Sequence, residues 1–83
     1  MMQVRVTYYA GAAAAAGLTT EEVSVPPGAT VAGLAEDLGR RHGPALDRVL
    51  SASSFLIDAV AGRRDRLLHD GAAVDVLPPF AGG

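Results

Sequence analysis

The chain has 83 residues, 49% of them hydrophobic, with no cysteine and nine acidic against seven basic side chains, a formal charge of -2. A fold of this size exposes roughly 4,600 Å² and buries about 60% of the unfolded surface, which makes one thin core and too little wall for a deep cofactor pocket. Without cysteine there are no disulfides or thiolate metal sites, the acidic balance argues against nucleic acid as a partner, and because every Lys/Arg position is arginine no side chain offers an amine for Schiff-base or isopeptide chemistry.

Residues Gln3 to Ala10 alternate, placing Val4, Val6 and Tyr8 on one face and Arg5, Thr7 and Tyr9 on the other, the period-2 pattern of a half-buried strand. No basic leader precedes an apolar block, so no signal peptide is expected. Nor does any apolar run approach the ~20 residues of a membrane span, so a soluble cytoplasmic protein with no membrane partner is expected. Ala12 to Ala16, between Gly11 and Gly17, is too short for a helix stable alone and reads as a turn of helix or a loop. Glu21 to Val25 alternates again, burying Val23 and Val25, until Pro26-Pro27-Gly28 stops it. These two strands pair as a hairpin.

Thr30 is a good N-cap for Val31, Leu34, Ala35 and Leu38, which recur on one helical face. Gly33 and Gly39 weaken this main helix, and close approach to the sheet is a reason to carry them. His42-Gly43-Pro44 ends it, with His42 read as a capping side chain. Leu46, Val49 and Leu50 support a short second helix from Pro44 to Leu50. Ser54 to Ala61 reads as one strand, with Phe55, Ile57 and Ala59 inward and Leu56, Asp58 and Val60 outward. Gly62-Arg63-Arg64-Asp65 is a polar turn, with Arg63, Arg64 and Arg66 read as solvated. After Leu67-Leu68, His69-Asp70-Gly71 makes a tight turn with His69 solvated. Val74 to Leu77 is the last strand, with Val74 and Val76 inward and Asp75 and Leu77 outward, until Pro78 removes the chain from the sheet.

This order predicts an α+β fold with the main helix across one face of a mixed four-stranded sheet, joined by a right-handed crossover. The opposite face then displays Tyr9, Leu56, Val60 and Leu77, an apolar group suited to a partner. Two histidines far apart and no cysteine make no metal constellation, and His69 beside Asp70 lacks the further groups that acid-base chemistry needs.

The ending Leu77-Pro78-Pro79-Phe80-Ala81-Gly82-Gly83 combines a stiff Pro-Pro segment, one aromatic anchor and three residues with almost no side chain. Gly82 and Gly83 fit a channel that admits only backbone and let a catalyst reach the terminal carbonyl without meeting a Cβ. A carboxylate there is a poor electrophile and needs activation, by ATP to an acyl adenylate. A sulfur nucleophile then gives a thiocarboxylate, an amine an amide. Nothing in the chain resembles a phosphate-cradling loop, so other proteins must perform both steps.

The run Val4-Arg5-Val6-Thr7-Tyr8-Tyr9-Ala10, the helix start Ala29-Thr30-Val31 and the closing run from Asp70 to Gly83 resemble the MoaD/ThiS ubiquitin-like sulfur carriers, above all the small subunits of molybdopterin synthase. The resemblance spans the whole chain, and its most specific element is Pro-Pro-x-x-Gly-Gly. It implies a β-grasp domain over residues 1–77, with a four- to five-stranded sheet, and an extended tail over 78–83. It implies Gly83, approached through Gly82, as the site of adenylation and thiocarboxylate formation, with no bound cofactor and ATP consumed by the activating enzyme. Implied partners are an E1-like adenylyltransferase, a sulfurtransferase and the large synthase subunit, met through Tyr9, Leu77, Pro78, Pro79, Phe80 and Ala81, with Val60 or its neighbour Ala61 near a third position on that surface. Family members often carry Arg in the first loop, here the alanine run, and Asn after the third strand, here Asp58. The alternatives are a sulfur carrier for thiamine thiazole, cysteine or tRNA thiolation, and a noncatalytic interaction module.

Overall fold

β1 (Met2–Tyr8) forms because an extended chain puts Val4, Val6 and Tyr8 on one side, and all three are buried. The computed structural model describes residues 1–79. Antiparallel to β1 runs β2 (Thr20–Val25), in a register that sets Val4 opposite Val23. The connection contains α1 (Ala10–Ala16), so the alanine run is a helix of two turns, ended by Gly17 and held by burial of Ala12. α2 (Val31–His42) starts at Thr30, whose side chain accepts from Gly33 N at 3.2 Å. It buries Val31, Leu34, Ala35 and Leu38, the predicted stripe. Gly43, at φ 99, ends α2 and opens α3 (Pro44–Ala52), which buries Leu46 and Leu50. Only glycine adopts this left-handed backbone without strain, so two helices meet with a single residue between them.

β3 (Ser54–Ile57), β4 (Val60–Ala61) and β5 (Ala73–Leu77) complete a five-stranded sheet of order β2-β1-β5-β3-β4. β1 and β5 are parallel at its centre and every other pairing is antiparallel. The inward residues of β1, β2, β3 and β5 share one core with the apolar faces of α1, α2 and α3. The accessible surface, 4614 Å², is close to what chain length predicts.

Three sequence expectations are corrected. Ser54 to Ala61 is not one strand: Asp58 and Ala59 have φ of 51 and 69 and reverse the chain. Ile57 therefore pairs with Val60, and Leu56 with Ala61. Gly39 approaches α3 rather than the sheet, since a Cβ there would overlap the Asp47 carboxylate. The 62–68 loop is not simply solvated, because the Arg66 and Arg64 carbonyls accept from Val31 N and Ala32 N, satisfying the first turn of α2. Arg64 also donates to the Leu50 carbonyl at 2.9 Å and the Ser53 carbonyl at 3.2 Å, closing the C-terminus of α3, and lies over the Phe55 ring.

Candidate functional site

All three helices pack on one face of the sheet, so the other face is built by the alternate residues of each strand. β1 supplies Arg5 and Thr7, β5 supplies Asp75 and Leu77, β3 supplies Leu56, and β4 supplies Ala61. Tyr9 continues this parity one step beyond β1 because its backbone stays extended, at φ -119, before α1 begins. Its amide donates to the Val76 carbonyl at 3.3 Å, which fixes Tyr9 beside the end of β5. Tyr9 is exposed, while Leu56 and Leu77 are half-buried, each flanked by its sheet neighbours. Tyr9, Leu56 and Leu77 thus lie on the helix-free face, where alternation puts them.

Val60 does not join them. The turn at Asp58-Ala59 folds β4 back, so Val60 takes the register position opposite Ile57 and belongs with the helix side of the sheet, where its place on the edge strand leaves it 60% exposed. Ala61, opposite Leu56, takes the corresponding place on the helix-free face. Strand alternation does not carry through this turn, which contains neither glycine nor asparagine to mark it.

Asp75 occupies the centre of this face. It pairs with Thr7 of β1 on one side and Leu56 of β3 on the other. The Tyr9 hydroxyl lies 3.4 Å from Asp75 Oδ1, at the long end of a hydrogen bond. Strand alternation put Asp75 outward from the start, but nothing in the sequence showed that its carboxylate would sit among Thr7, Tyr9, Leu56 and Leu77.

β5 ends at Leu77, and Pro78 and Pro79 leave the sheet from there, Pro78 half-buried and Pro79 exposed. Phe80, Ala81, Gly82 and Gly83, the remaining predicted site residues, lie outside the described residues. Among the described residues no cluster of three His, Cys, Asp or Glu is placed to hold a metal ion, and no helix is long and apolar enough to cross a membrane.

Two further polar groups, His42 and His69, differ from the sequence expectation. His42 does not cap α2; its Nε2 lies 2.6 Å from Glu21 Oε2, which also accepts the Tyr8 hydroxyl at 2.6 Å. His69 is not merely solvated, because Nε2 faces Asp58 Oδ2 at 2.5 Å and Nδ1 faces the Asp70 carbonyl at 2.9 Å. Both of those partners only accept, so both ring nitrogens must donate and the imidazolium suits the site. The hydrogen bond to Asp58 leads in raising the His69 pKa, followed by the bond to the Asp70 carbonyl. Asp58 is lowered first by the Ala73 amide, which donates to Oδ1 at 3.0 Å, and then by His69.

Comparison with known proteins shows which family the chain and its fold resemble. The ThiS family profile matches residues 6–83. The molybdopterin synthase sulfur carrier subunit of Chlamydomonas reinhardtii is 31% identical over 99% of this chain and 100% of its own length. Among solved structures, the H. volcanii small archaeal modifier protein 1 superposes with a TM-score of 0.85 at 25% identity, covering 96% of this chain and 100% of that one. A Caldiarchaeum subterraneum ubiquitin superposes at 0.64 with 17% identity, covering 99% and 98%. The last is a likeness of fold: the five-stranded mixed sheet with helices on one face is the ubiquitin-like β-grasp.

Proposed function

The chain belongs to the ThiS family, and from that premise we propose that it is a sulfur carrier serving as the small subunit of molybdopterin synthase in molybdenum cofactor biosynthesis. The observation that carries this reading is its end-to-end relationship, at 31% identity, to a protein named for that role. The placement of β5 supports it, since the strand runs through the sheet centre and releases Pro78-Pro79 beside Tyr9.

In this reading residues 1–77 are the rigid base and 78–83 the presented tail, with Gly83 as its carboxyl end. An E1-like adenylyltransferase joins the Gly83 carboxylate to AMP from ATP, releasing pyrophosphate. A sulfurtransferase persulfide expels AMP through its terminal sulfur, a thiol reductant cleaves the resulting acyl disulfide to the thiocarboxylate, and once that sulfur has attacked the pterin on the large subunit, water cleaves the acyl–sulfur bond and returns the Gly83 carboxylate. This chain holds no cofactor in the cycle. Gly82 keeps side chains out of the approach, Pro78 and Pro79 stiffen it, and Phe80 and Ala81 contact the partner along with Tyr9 and Leu77. The likeness to small archaeal modifier protein 1 favours a second reading, in which an amine meets the same adenylate and an amide forms.

Intact mass spectrometry tests the first reading. After incubation with the activating enzyme, ATP and a sulfur source, the mass should rise by the exchange of one oxygen for one sulfur. Deleting Gly83, or appending one residue after it, should abolish that change. Sulfuration of the pterin on adding the large subunit then separates molybdopterin synthesis from other sulfur pathways. Loading that survives the deletion removes Gly83 from the chemistry.

A further inference from the structure

We propose that Asp75 is a specificity-determining residue of the helix-free face, selecting a protein partner that brings an arginine or lysine cation, ringed by apolar side chains, onto the middle of the sheet. The proposal deepens the reading of this chain as a docked carrier subunit and rests on it.

Geometry comes first. Asp75 stands on the central strand pair, between Thr7 and Leu56, with Leu77 two residues along β5 and the Tyr9 hydroxyl 3.4 Å from its Oδ1. The neighbours that a partner would cover are therefore mostly apolar, and the carboxylate lies inside the area they define. Among the described residues no arginine or histidine comes within ion-pairing distance of Asp75. Arg5, on the same face of β1, is engaged with Glu22 at 2.9 Å. One long hydrogen bond from Tyr9 leaves most of the carboxylate's accepting capacity unused.

Energetics then sets the occupant. A surface that covers Tyr9, Leu56 and Leu77 also takes Asp75 out of water, and an ion buried without a counter-charge costs several kcal/mol. A purely apolar partner bears that cost in full, whereas one with a matched cation offsets it and gains a charge-assisted hydrogen bond. The same carboxylate thus attracts one class of surface and rejects others, which is how charged groups at an interface confer specificity. A second copy of this chain is a poor occupant, because face-to-face docking about a twofold axis through the sheet centre brings Asp75 against its own counterpart in a chain already carrying a charge of -2.

The test uses the full chain and the purified large subunit of molybdopterin synthase from the same organism, with affinity measured by titration calorimetry at low and high salt. Asp75→Asn keeps the size of the side chain and an acceptor for Tyr9 but removes the charge. It should weaken binding on the order of 30-fold or more and flatten the salt dependence. Asp75→Ser, read in the same way, guards against an effect peculiar to asparagine, and urea midpoints close to wild type establish that both variants fold. Equal or tighter binding by both variants overturns the proposal. Leu77→Glu separates it from its premise: if that change weakens binding while Asp75→Asn does not, docking on this face stands and the role of Asp75 falls. If Leu77→Glu binds like the parent chain, the docking face is misassigned and the proposal falls with it.

Discussion

The Tyr8 hydroxyl donates a 2.6 Å hydrogen bond to Glu21, tying β1 to β2 at a point where the tyrosine is only 2% exposed. His42, in the last turn of α2, meets the same carboxylate oxygen and stands edge-on to the Tyr8 ring, with centroids 6.1 Å apart. One acceptor therefore holds two strands and a helix end. Glu21→Ala leaves the buried hydroxyl without a partner and should cost about 1–3 kcal/mol in urea unfolding. Adding Tyr8→Phe to that variant removes the orphaned hydroxyl and should restore part of the loss.

Burial, reinforced by the same contact, raises the alkaline limit of Tyr8. Burial first, and then the hydrogen bond and charge of Glu21, push its phenol above the ordinary value of 10.0. A raised folded pKa means a contribution to stability that is complete below pH 10 and declines as pH rises through the folded value. Absorbance titration should show Tyr8 still protonated at a pH where a free phenol has ionised, and Glu21→Ala should bring its transition down.

Arg63 and Arg64 are adjacent in sequence and unlike in consequence. Among the described residues Arg63 has one ion pair, with exposed Asp65 at 3.5 Å, whereas Arg64 closes the end of α3 and covers Phe55. Arg64→Ala should destabilise by about 1–2 kcal/mol through lost capping and cation-π contact. Arg63→Ala should stay within about 0.5 kcal/mol of the parent, and equal effects from the two would show that the Arg64 contacts do not hold in solution.

Ala59 carries a φ of 69, a conformation in which its Cβ crowds the backbone. Ala59→Gly relieves that strain at the expense of a more flexible unfolded chain, for a net gain of about 0.5–1 kcal/mol. A thermal midpoint above the parent's checks it.

Asp58 and His69 make a pH-dependent clasp between the β3–β4 turn and the turn that precedes β5. His69 is raised from 6.5, so its contribution is complete below about that pH and fades as pH rises through the folded value. Asp58 is lowered from 3.8, so its contribution is complete above that pH and fades as pH falls through its folded value. Both act together between about 3.8 and 6.5. NMR titration of the His69 ring should give a transition above 6.5 that moves down in Asp58→Asn.

Alternation and helical periodicity by themselves identified the inward residues Val4, Val6, Val74 and Val76, the α2 stripe from Val31 to Leu38 and the outward placement of Tyr9, Asp75 and Leu77, because each is set by local backbone geometry acting on neighbours a few residues apart. The closing Pro-Pro-x-x-Gly-Gly carried the family resemblance for a similar reason, since its meaning lies in consecutive residue types. Contacts between distant segments were beyond that reach. The turn at Asp58-Ala59 puts Val60 opposite Ile57, the crossing of α2 and α3 sets Asp47 against Gly39, and Arg64 meets carbonyls 11 to 14 residues away. Each depends on where the chain returns in space, and packing of the whole core decides that; so it was the tertiary structure that set Asp75 among Thr7, Tyr9, Leu56 and Leu77 and put Val60 on the other side of the sheet.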